Sequence, residues 1–193
     1  PMYQQDIDPT KPTVPDAELG WQFFSDSDFA GNRDTEIQNK RRSQSGFIAL
    51  LNGAPVLWGS KVSSVCFAHP DIGEAHADIS SGAAEVYAAG NATFEFLHLS
   101  YCADEMGIPF PKPFTMQIDN KAAIAFTKNS AFKSKLKHID VRQDWVHTLR
   151  NKSIITPKYV RSEDNLADLF TKILCVEVFV RLRDRMMFKR SSI

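Results

Sequence analysis

Cysteine is scarce in this chain: Cys66, Cys102 and Cys175 are the only three in 193 residues. Their odd number and irregular spacing match neither a disulfide framework nor a metal-ligand pattern, which argues for a reduced intracellular setting with the thiols as small buried apolar residues. No run of about 18 apolar residues occurs, so no membrane span is expected. The opening residues Pro1-Met2-Tyr3-Gln4-Gln5-Asp6 lack the basic and apolar parts of a secretory signal, and Pro1 ahead of Met2 reads as a fragment cut from a longer polypeptide. Net charge is missing too: 23 basic residues balance 23 acidic ones, which taken alone argues against a strong nucleic-acid binder.

The distribution of that charge says more than its sum. Lys121, Lys128, Lys133, Lys135, Lys137, Arg142, Arg150, Lys152, Lys158 and Arg161 face only Asp140 and Asp144 over the same stretch. The segment up to Glu36 is acidic, with only Lys11 and Arg33 in opposition. A basic face able to follow a phosphate backbone beside an acidic pocket is one reading; a solvated helix face is the other. Hydrophobic residues make up 43% of the chain, enough for one real core.

Pro9, Pro12 and Pro15 with little apolar patterning make residues 1–19 a linker from an upstream domain. The domain itself is expected over 20–174, with a C-terminal helix and tail over 175–193. A first strand over Trp21 to Phe24 precedes two apolar runs, Ser45 to Leu51 and Pro55 to Trp58, which flank the turn signal Asn52-Gly53. The spacing of Ala84, Tyr87, Ala88, Phe94, Leu97 and Tyr101 predicts a long helix over 79–106, stopped by Gly107 and Pro109. Then come a strand over 114–118, a helical segment over 121–128, and an amphipathic helix over 136–150 with Ile139, Trp145, Val146 and Leu149 on one face. A strand over 154–160, a helix over 163–172 and a last helix over 176–187 complete the order. A mixed α/β sheet flanked by helices is the simplest way to pack it.

Four carboxylates stand in four separate short contexts: Asp26 in Ser25-Asp26-Ser27-Asp28, Glu85 in Ala84-Glu85-Val86-Tyr87, Asp119 in Gln117-Ile118-Asp119-Asn120 and Asp168 in Asn165-Leu166-Ala167-Asp168. Each is expected at the exposed edge of a core. Asp26 and Asp119 follow apolar strand-like runs, and Glu85 and Asp168 lie in helical patterns. Carboxylates delivered in this way can converge on a pair of hard divalent cations, which is what phosphodiester hydrolysis requires.

The chain resembles the ribonuclease H domain at the carboxyl end of the polyprotein of copia-type LTR retrotransposons. The resemblance rests on an ordered set of segments: residues 24–31, Phe24-Ser25-Asp26-Ser27-Asp28-Phe29-Ala30-Gly31; Arg41-Arg42-Ser43-Gln44-Ser45-Gly46-Phe47; Trp58-Gly59-Ser60-Lys61; Ser80-Ser81 through Ala84-Glu85; Asp119-Asn120-Lys121-Ala122-Ala123-Ile124; Lys137-His138-Ile139-Asp140-Val141-Arg142; and Ala167-Asp168-Leu169-Phe170-Thr171-Lys172. It implies a ribonuclease H-like fold, a five-stranded mixed sheet with its first three strands antiparallel. It further implies cleavage of the RNA strand of RNA–DNA hybrids with two Mg²⁺, or Mn²⁺ as a substitute, and metal ligation by Asp26, Glu85, Asp119 and Asp168. A reverse transcriptase upstream in the same polyprotein, an intracellular location in a cytoplasmic particle or the nucleus, and no membrane partner are implied as well. Arg41, Arg42, Lys61, Asn120, Lys133, Lys135, Lys137, His138 and Arg142 fall where contacts to the hybrid are expected; for Arg41, Arg42 and His138 a turn or helix-capping role is the alternative.

The chain departs from the family in places. Gly82-Ala83-Ala84-Glu85 stands where the family carries two acidic residues, and the connection from Lys61 to Ser80 is longer, with His69, Glu74, His76 and Asp78 in what reads as a polar surface loop. The loop Arg161-Ser162-Glu163-Asp164-Asn165 has no histidine, leaving proton transfer to solvent or Glu163. Asp28 is either a neighbour of the metal pocket or a turn former. Asn91-Ala92-Thr93 matches a glycosylation acceptor but lies in the expected helix. Trp21, Trp58 and Trp145 are expected in the core. Two other classes of function share the pattern: an integrase- or transposase-like DNA nuclease, and an inactive nucleic-acid-binding module.

Overall fold

The computed structural model describes residues 20–32, 42–62, 77–128 and 137–187. Strands β1 (Trp21–Asn32), β2 (Arg42–Leu51) and β3 (Ala54–Val62) form an antiparallel meander in which Asp26 lies opposite Gly46. The Asn52-Gly53 turn has φ of 51° and 78° at its two residues, the left-handed pair that a two-residue hairpin demands. Asn52 also clasps the start of β1: its N–H donates to Gly20 O at 2.9 Å, and its Oδ1 accepts from Gly20 N at 2.8 Å. Helix α1 (Ala77–Glu105) then carries the chain back to β4 (Phe114–Ile118), which runs parallel to β1. Helices α2 (Lys121–Lys128) and α3 (Lys137–Asn151) lead to β5 (Ile155–Tyr159), parallel to β4. The sheet order is β3-β2-β1-β4-β5, the five-stranded mixed sheet expected from the sequence.

Successive residues of a strand point to opposite faces, and β1 divides the interior accordingly. Phe23 joins one core with Ala49, Val86, Phe96, Phe114, Met116, Ile118, Val146 and Ile155. Its ring lies 5.0 Å from those of Phe96 and Phe114, tilted as aromatic quadrupoles prefer. Phe24 joins a second core on the other face with Ile48, Leu50, Leu166, Ala167 and Leu182. Leu182 comes from α4 (Val176–Met186), so that helix closes the second face.

Several expectations need correction. The spacing along α1 predicts the helix and part of its buried face: Ala84, Tyr87 and Ala88 are buried and Leu97 packs against the first core. Further along, Ala89, Ala92, Thr93, Phe96, Ser100 and Ala103 are buried as well, whereas Phe94 and Tyr101 are each 65% exposed. Small residues predominate on this inner face, where the helix lies close on the sheet, and Phe96 reaches into the core among them. Trp58, on the edge strand β3, is 58% exposed rather than core, whereas Trp21 and Trp145 are partly buried against the first core. Cys102 is only partly buried and Cys175 is exposed; Cys66 lies outside the described residues. Residues 163–172 do not form one helix. They form two 3-10 turns, Ser162–Asp164 and Leu166–Phe170, broken at Asn165, whose extended backbone (φ −76°, ψ 106°) cannot continue a helix. The expected linker 1–19 and the histidines His69 and His76, with Glu74, also lie outside the described residues. Among the described residues no helix is long and apolar enough to cross a membrane.

Candidate active site

The register of the parallel pair begins the site. Phe24 pairs with Gln117 across β1 and β4, and two residues further along each chain Asp26 and Asp119 emerge at the same level. Because β4 ends at Ile118 while β1 runs on to Asn32, Asp119 is freed from the sheet beside an Asp26 still held in it. Glu85 reaches the same point from the first half of α1. One oxygen from each of Asp26, Glu85 and Asp119 lies within 4.8 Å of the others. An open cleft of about 700 Å³ gives access, lined by Glu85 and Asp119 with Ser27, Asp28, Phe29, Asn120, Lys121, Tyr159 and Lys172.

The segment from Asn165 to Lys172 brings Lys172 to the cleft, and its placement follows from two buried contacts. Asn165 is fully buried; its Nδ2 donates to Ser25 O at 3.2 Å and its Oδ1 accepts from Ala167 N at 3.2 Å, riveting the Leu166–Phe170 turn to β1. Gly46 lets the same segment lie flat on β2: a Cβ there would stand 2.6 Å from Thr171 Cγ2 and 2.9 Å from Phe170 Cβ. Thr171 Oγ1 then donates to Asp26 Oδ2. Lys172 Nζ donates to Asp26 Oδ1 at 3.2 Å and Asp168 Oδ1 at 3.0 Å, and stands 3.9 Å from Asp119 Oδ2. Ser162 Oγ donates to Asp119 Oδ2.

Electrostatics follow from this crowding. Burial holds the Asp26 carboxyl above its usual range, with Lys172 and Thr171 opposing it. Burial, then repulsion from Asp26 and Asp119, pushes Glu85 well above the carboxylate range. Burial and Asp26 push Asp168 up to about 7 despite its Lys172 partner. Burial alone would lower the Lys172 ammonium, but Asp26, Asp168 and Asp119 together hold it above the ordinary lysine range. One ammonium among four carboxylates leaves the site with an excess of negative charge, so Asp26, Glu85 and Asp168 are hard to ionise while Lys172 stays charged. Glu85 Oε2 is buried with no hydrogen-bond partner. A carboxylate with an orphaned oxygen, gathered with two further carboxylates, fits a hard divalent cation, whose preferred ligands are oxygens.

Of the residues singled out in the sequence, the structure brings Asp26, Glu85 and Asp119 together and ties Asp168 to them through Lys172. The expectation of exposed carboxylates is overturned: Asp26 is fully buried, and Glu85 and Asp168 are only 4% and 5% exposed, because α1 and the Leu166–Phe170 turn close over both sides of β1. Asp26 lies within the strand rather than after it, and Asp168 sits in a 3-10 turn rather than a helix. Asn120 lines the cleft and caps α2, its Oδ1 accepting from Ala123 N at 3.0 Å. Lys61 is exposed on the edge strand β3, whose neighbouring Ser60 pairs with Gly46, two interstrand steps from Asp26. Arg42 begins β2, and Lys137, His138 and Arg142 lie on the first turns of α3; Arg41, Lys133 and Lys135 fall outside the described residues. Glu163 is exposed and pairs with Arg161 Nη1 at 3.3 Å. Thr171, Lys172, Ser162 and Asn165 have no role that the sequence alone assigns. A signal exists for Lys172, four residues after Asp168, but a lone lysine carries no chemistry until its neighbours are known.

No protein-family model matches the chain. It is 28% identical over 151 residues to the retrovirus-related Pol polyprotein from transposon TNT 1-94 of Nicotiana tabacum, and 27% identical over 161 residues to that from transposon RE1 of Arabidopsis thaliana. These alignments cover 78% and 83% of the chain, which spans about 10% of either polyprotein. Among solved structures it is similar to LC11-RNase H1 isolated from compost (TM-score 0.51, 14% identity, 79% of this chain and 92% of that one). A second structure of LC11-RNase H1, in complex with an RNA/DNA hybrid, matches with a TM-score of 0.50 at 13% identity over 78% of this chain and 93% of that one. The N-terminal RNase H domain of a Mycobacterium tuberculosis protein matches with a TM-score of 0.50 at 10% identity over 86% and 97% of the two chains. The sequence relatives are thus Pol polyproteins of plant transposons, and the fold is that of ribonuclease H domains, as fits a copia-type Pol.

Proposed function

We propose that this domain cleaves the RNA strand of RNA–DNA hybrids, leaving a 5′-phosphate and a 3′-hydroxyl, as part of a transposon Pol polyprotein with a reverse transcriptase upstream. The observation that carries this reading is the Glu85 carboxylate, which has one buried oxygen without a partner and gathers with the carboxylates of Asp26 and Asp119 within 4.8 Å. Leaving such a charge uncompensated costs on the order of several kcal/mol, so the arrangement is one for holding cations. Two Mg²⁺, or Mn²⁺ in their place, would supply the Lewis acidity that activates the attacking water and offsets charge on the scissile phosphate. Asp26, Glu85 and Asp119 would hold them, with Asp168 assisting from the side. Ser162 and Thr171 fix the Asp119 and Asp26 carboxylates before substrate arrives, which is the preorganisation that positions ligands within a fraction of an ångström.

The cleft brings the strand past Asn120 and Lys121. Recognition of RNA in the cut strand requires contacts to 2′-hydroxyls and to the shape of the hybrid, since phosphate contacts carry no such information. The structural neighbour in complex with an RNA/DNA hybrid supports that choice of substrate. With Glu163 paired to Arg161 and no histidine in the loop, the leaving oxygen takes its proton from solvent. The test is to incubate the protein with a labelled hybrid in Mg²⁺ or in EDTA. Metal-dependent cutting confined to the RNA strand is expected. Cutting of duplex DNA in its place would favour the integrase-like alternative, and binding without cutting the inactive module.

A further inference from the structure

Lys172 is the one cation described within the carboxylate cluster, and it is not bound to a single partner. Its ammonium lies 3.0 Å from Asp168, 3.2 Å from Asp26 and 3.9 Å from Asp119. The backbone holds it there: Lys172 N donates to Asp168 O at 3.1 Å, and Thr171 N to the same oxygen at 3.3 Å. The side chain is 29% exposed and lines the cleft, so its flexible four-carbon stem has a way out to solvent. Glu85 completes the contrast. Lys172 makes no ion pair with it, and its Oε2 is left bare.

We propose that Lys172 is the site's resident cation: its ammonium takes the place beside Asp26 and Asp119, on the side of Asp168, that a second divalent ion would occupy, and withdraws when that ion binds. The inference rests on the reading of Asp26, Glu85 and Asp119 as cation ligands. Charge arithmetic supports it. With the carboxylates ionised, as ligation of a cation requires, the four and one ammonium sum to three negative charges; one divalent ion leaves one, whereas a second with the ammonium still present would make the cluster positive. With the ammonium withdrawn, two divalent ions neutralise the four carboxylates. The first ion is therefore accepted beside Lys172, on the Glu85 side, and the second only in its place.

Calorimetric titration of the whole chain with Mn²⁺ tests this, together with melting curves in EDTA and in saturating Mn²⁺. The wild type should bind one ion tightly and a second weakly. Lys172→Met, which keeps the stem and removes the charge, should strengthen the second event by at least about tenfold, as expected for removing a like charge at contact distance. It should also melt lower than wild type in EDTA and recover in Mn²⁺, while Lys172→Arg should keep the wild-type pattern. Unchanged affinities in Lys172→Met, or a variant that fails to fold even in saturating Mn²⁺, would overturn the proposal and leave Lys172 a structural residue. Wild type that binds no Mn²⁺ would instead overturn the underlying reading of the carboxylates.

Discussion

A buried carboxylate with one bare oxygen persists only if it is protonated or meets a cation, and Glu85 is in that condition. Glu85→Gln keeps the shape and removes the charge. It should abolish hybrid cleavage while stabilising the metal-free protein by about 1 kcal/mol, or roughly 2–4 °C in Tm for a chain of this size. Asp26→Asn and Asp119→Asn should also abolish cleavage. Melting curves and cleavage assays on the same samples decide the matter, and near-normal activity in any of the three removes that residue from the site. Asp168 stands outside the three converging oxygens and is linked to them by Lys172. Asp168→Asn should therefore retain measurable activity, above all in Mn²⁺, which accepts looser oxygen coordination than Mg²⁺. Kinetics of the four mutants in both metals check the order; an Asp168→Asn as inactive in Mn²⁺ as Asp119→Asn would place Asp168 among the direct ligands.

At the scale of elements, the decisive feature is a turn laid on a strand. The Leu166–Phe170 turn can reach Asp26 only because β2 offers a glycine at position 46. Gly46→Ala should force Phe170 and Thr171 away from β2, cost about 1–3 kcal/mol by overpacking, and lower cleavage more than its stability loss explains, because Thr171 and Lys172 move with the turn. Urea unfolding beside kcat measured well below the Tm separates the two effects; an unchanged kcat would show that the turn is not what positions Asp26. The helices show where a sequence pattern stops being sufficient. The bounds of α2, β4 and β5 follow closely from apolar spacing and breakers, because each is short and buries one face. In α1 the same spacing selects Phe94 and Tyr101 for a core that alanines fill, since periodicity reports size and polarity but not how near a sheet the helix will lie.

The whole molecule sets how stability and binding respond to solution conditions. Asp168 titrates near ~4 in an unfolded chain but is pushed up to about 7 in the fold, so between those values the native state holds the proton more tightly. Its contribution to the stability of the metal-free protein therefore falls as pH rises from about 4 to about 7, and Asp26 and Glu85 shift in the same direction. Lys172 works in the same direction but only in alkali, where its contribution is lost as pH climbs through its raised pKa. Urea midpoints in EDTA at pH 5 and pH 8 should show wild type losing more stability than Asp168→Asn over that interval; equal losses would remove Asp168 from the account. The basic segment acts at the same scale. Replacing Lys133, Lys135 and Lys137 with Gln should weaken hybrid binding and make its salt dependence shallower, by about 0.9 in slope for each phosphate that is no longer neutralised. An unchanged slope in binding titrations across salt concentrations would make this run a solvated face.

By itself the sequence determined the order of the strands and of the longer helices and the hairpin at Asn52-Gly53, and it singled out four carboxylates as candidates. These are local properties: a turn depends on two backbone conformations, an element on its apolar period, and each carboxylate on a short motif. Tertiary structure alone decided that Asp26, Glu85 and Asp119 share one point while Asp168 stands aside, that they are buried rather than exposed, and that Lys172 sits among them. Those outcomes depend on strand register, on Gly46 lying opposite Asp26, and on Asn165 reaching back 140 residues to Ser25. Charge, burial and coordination are properties of distances between chain segments, and such distances come into being only when the segments meet.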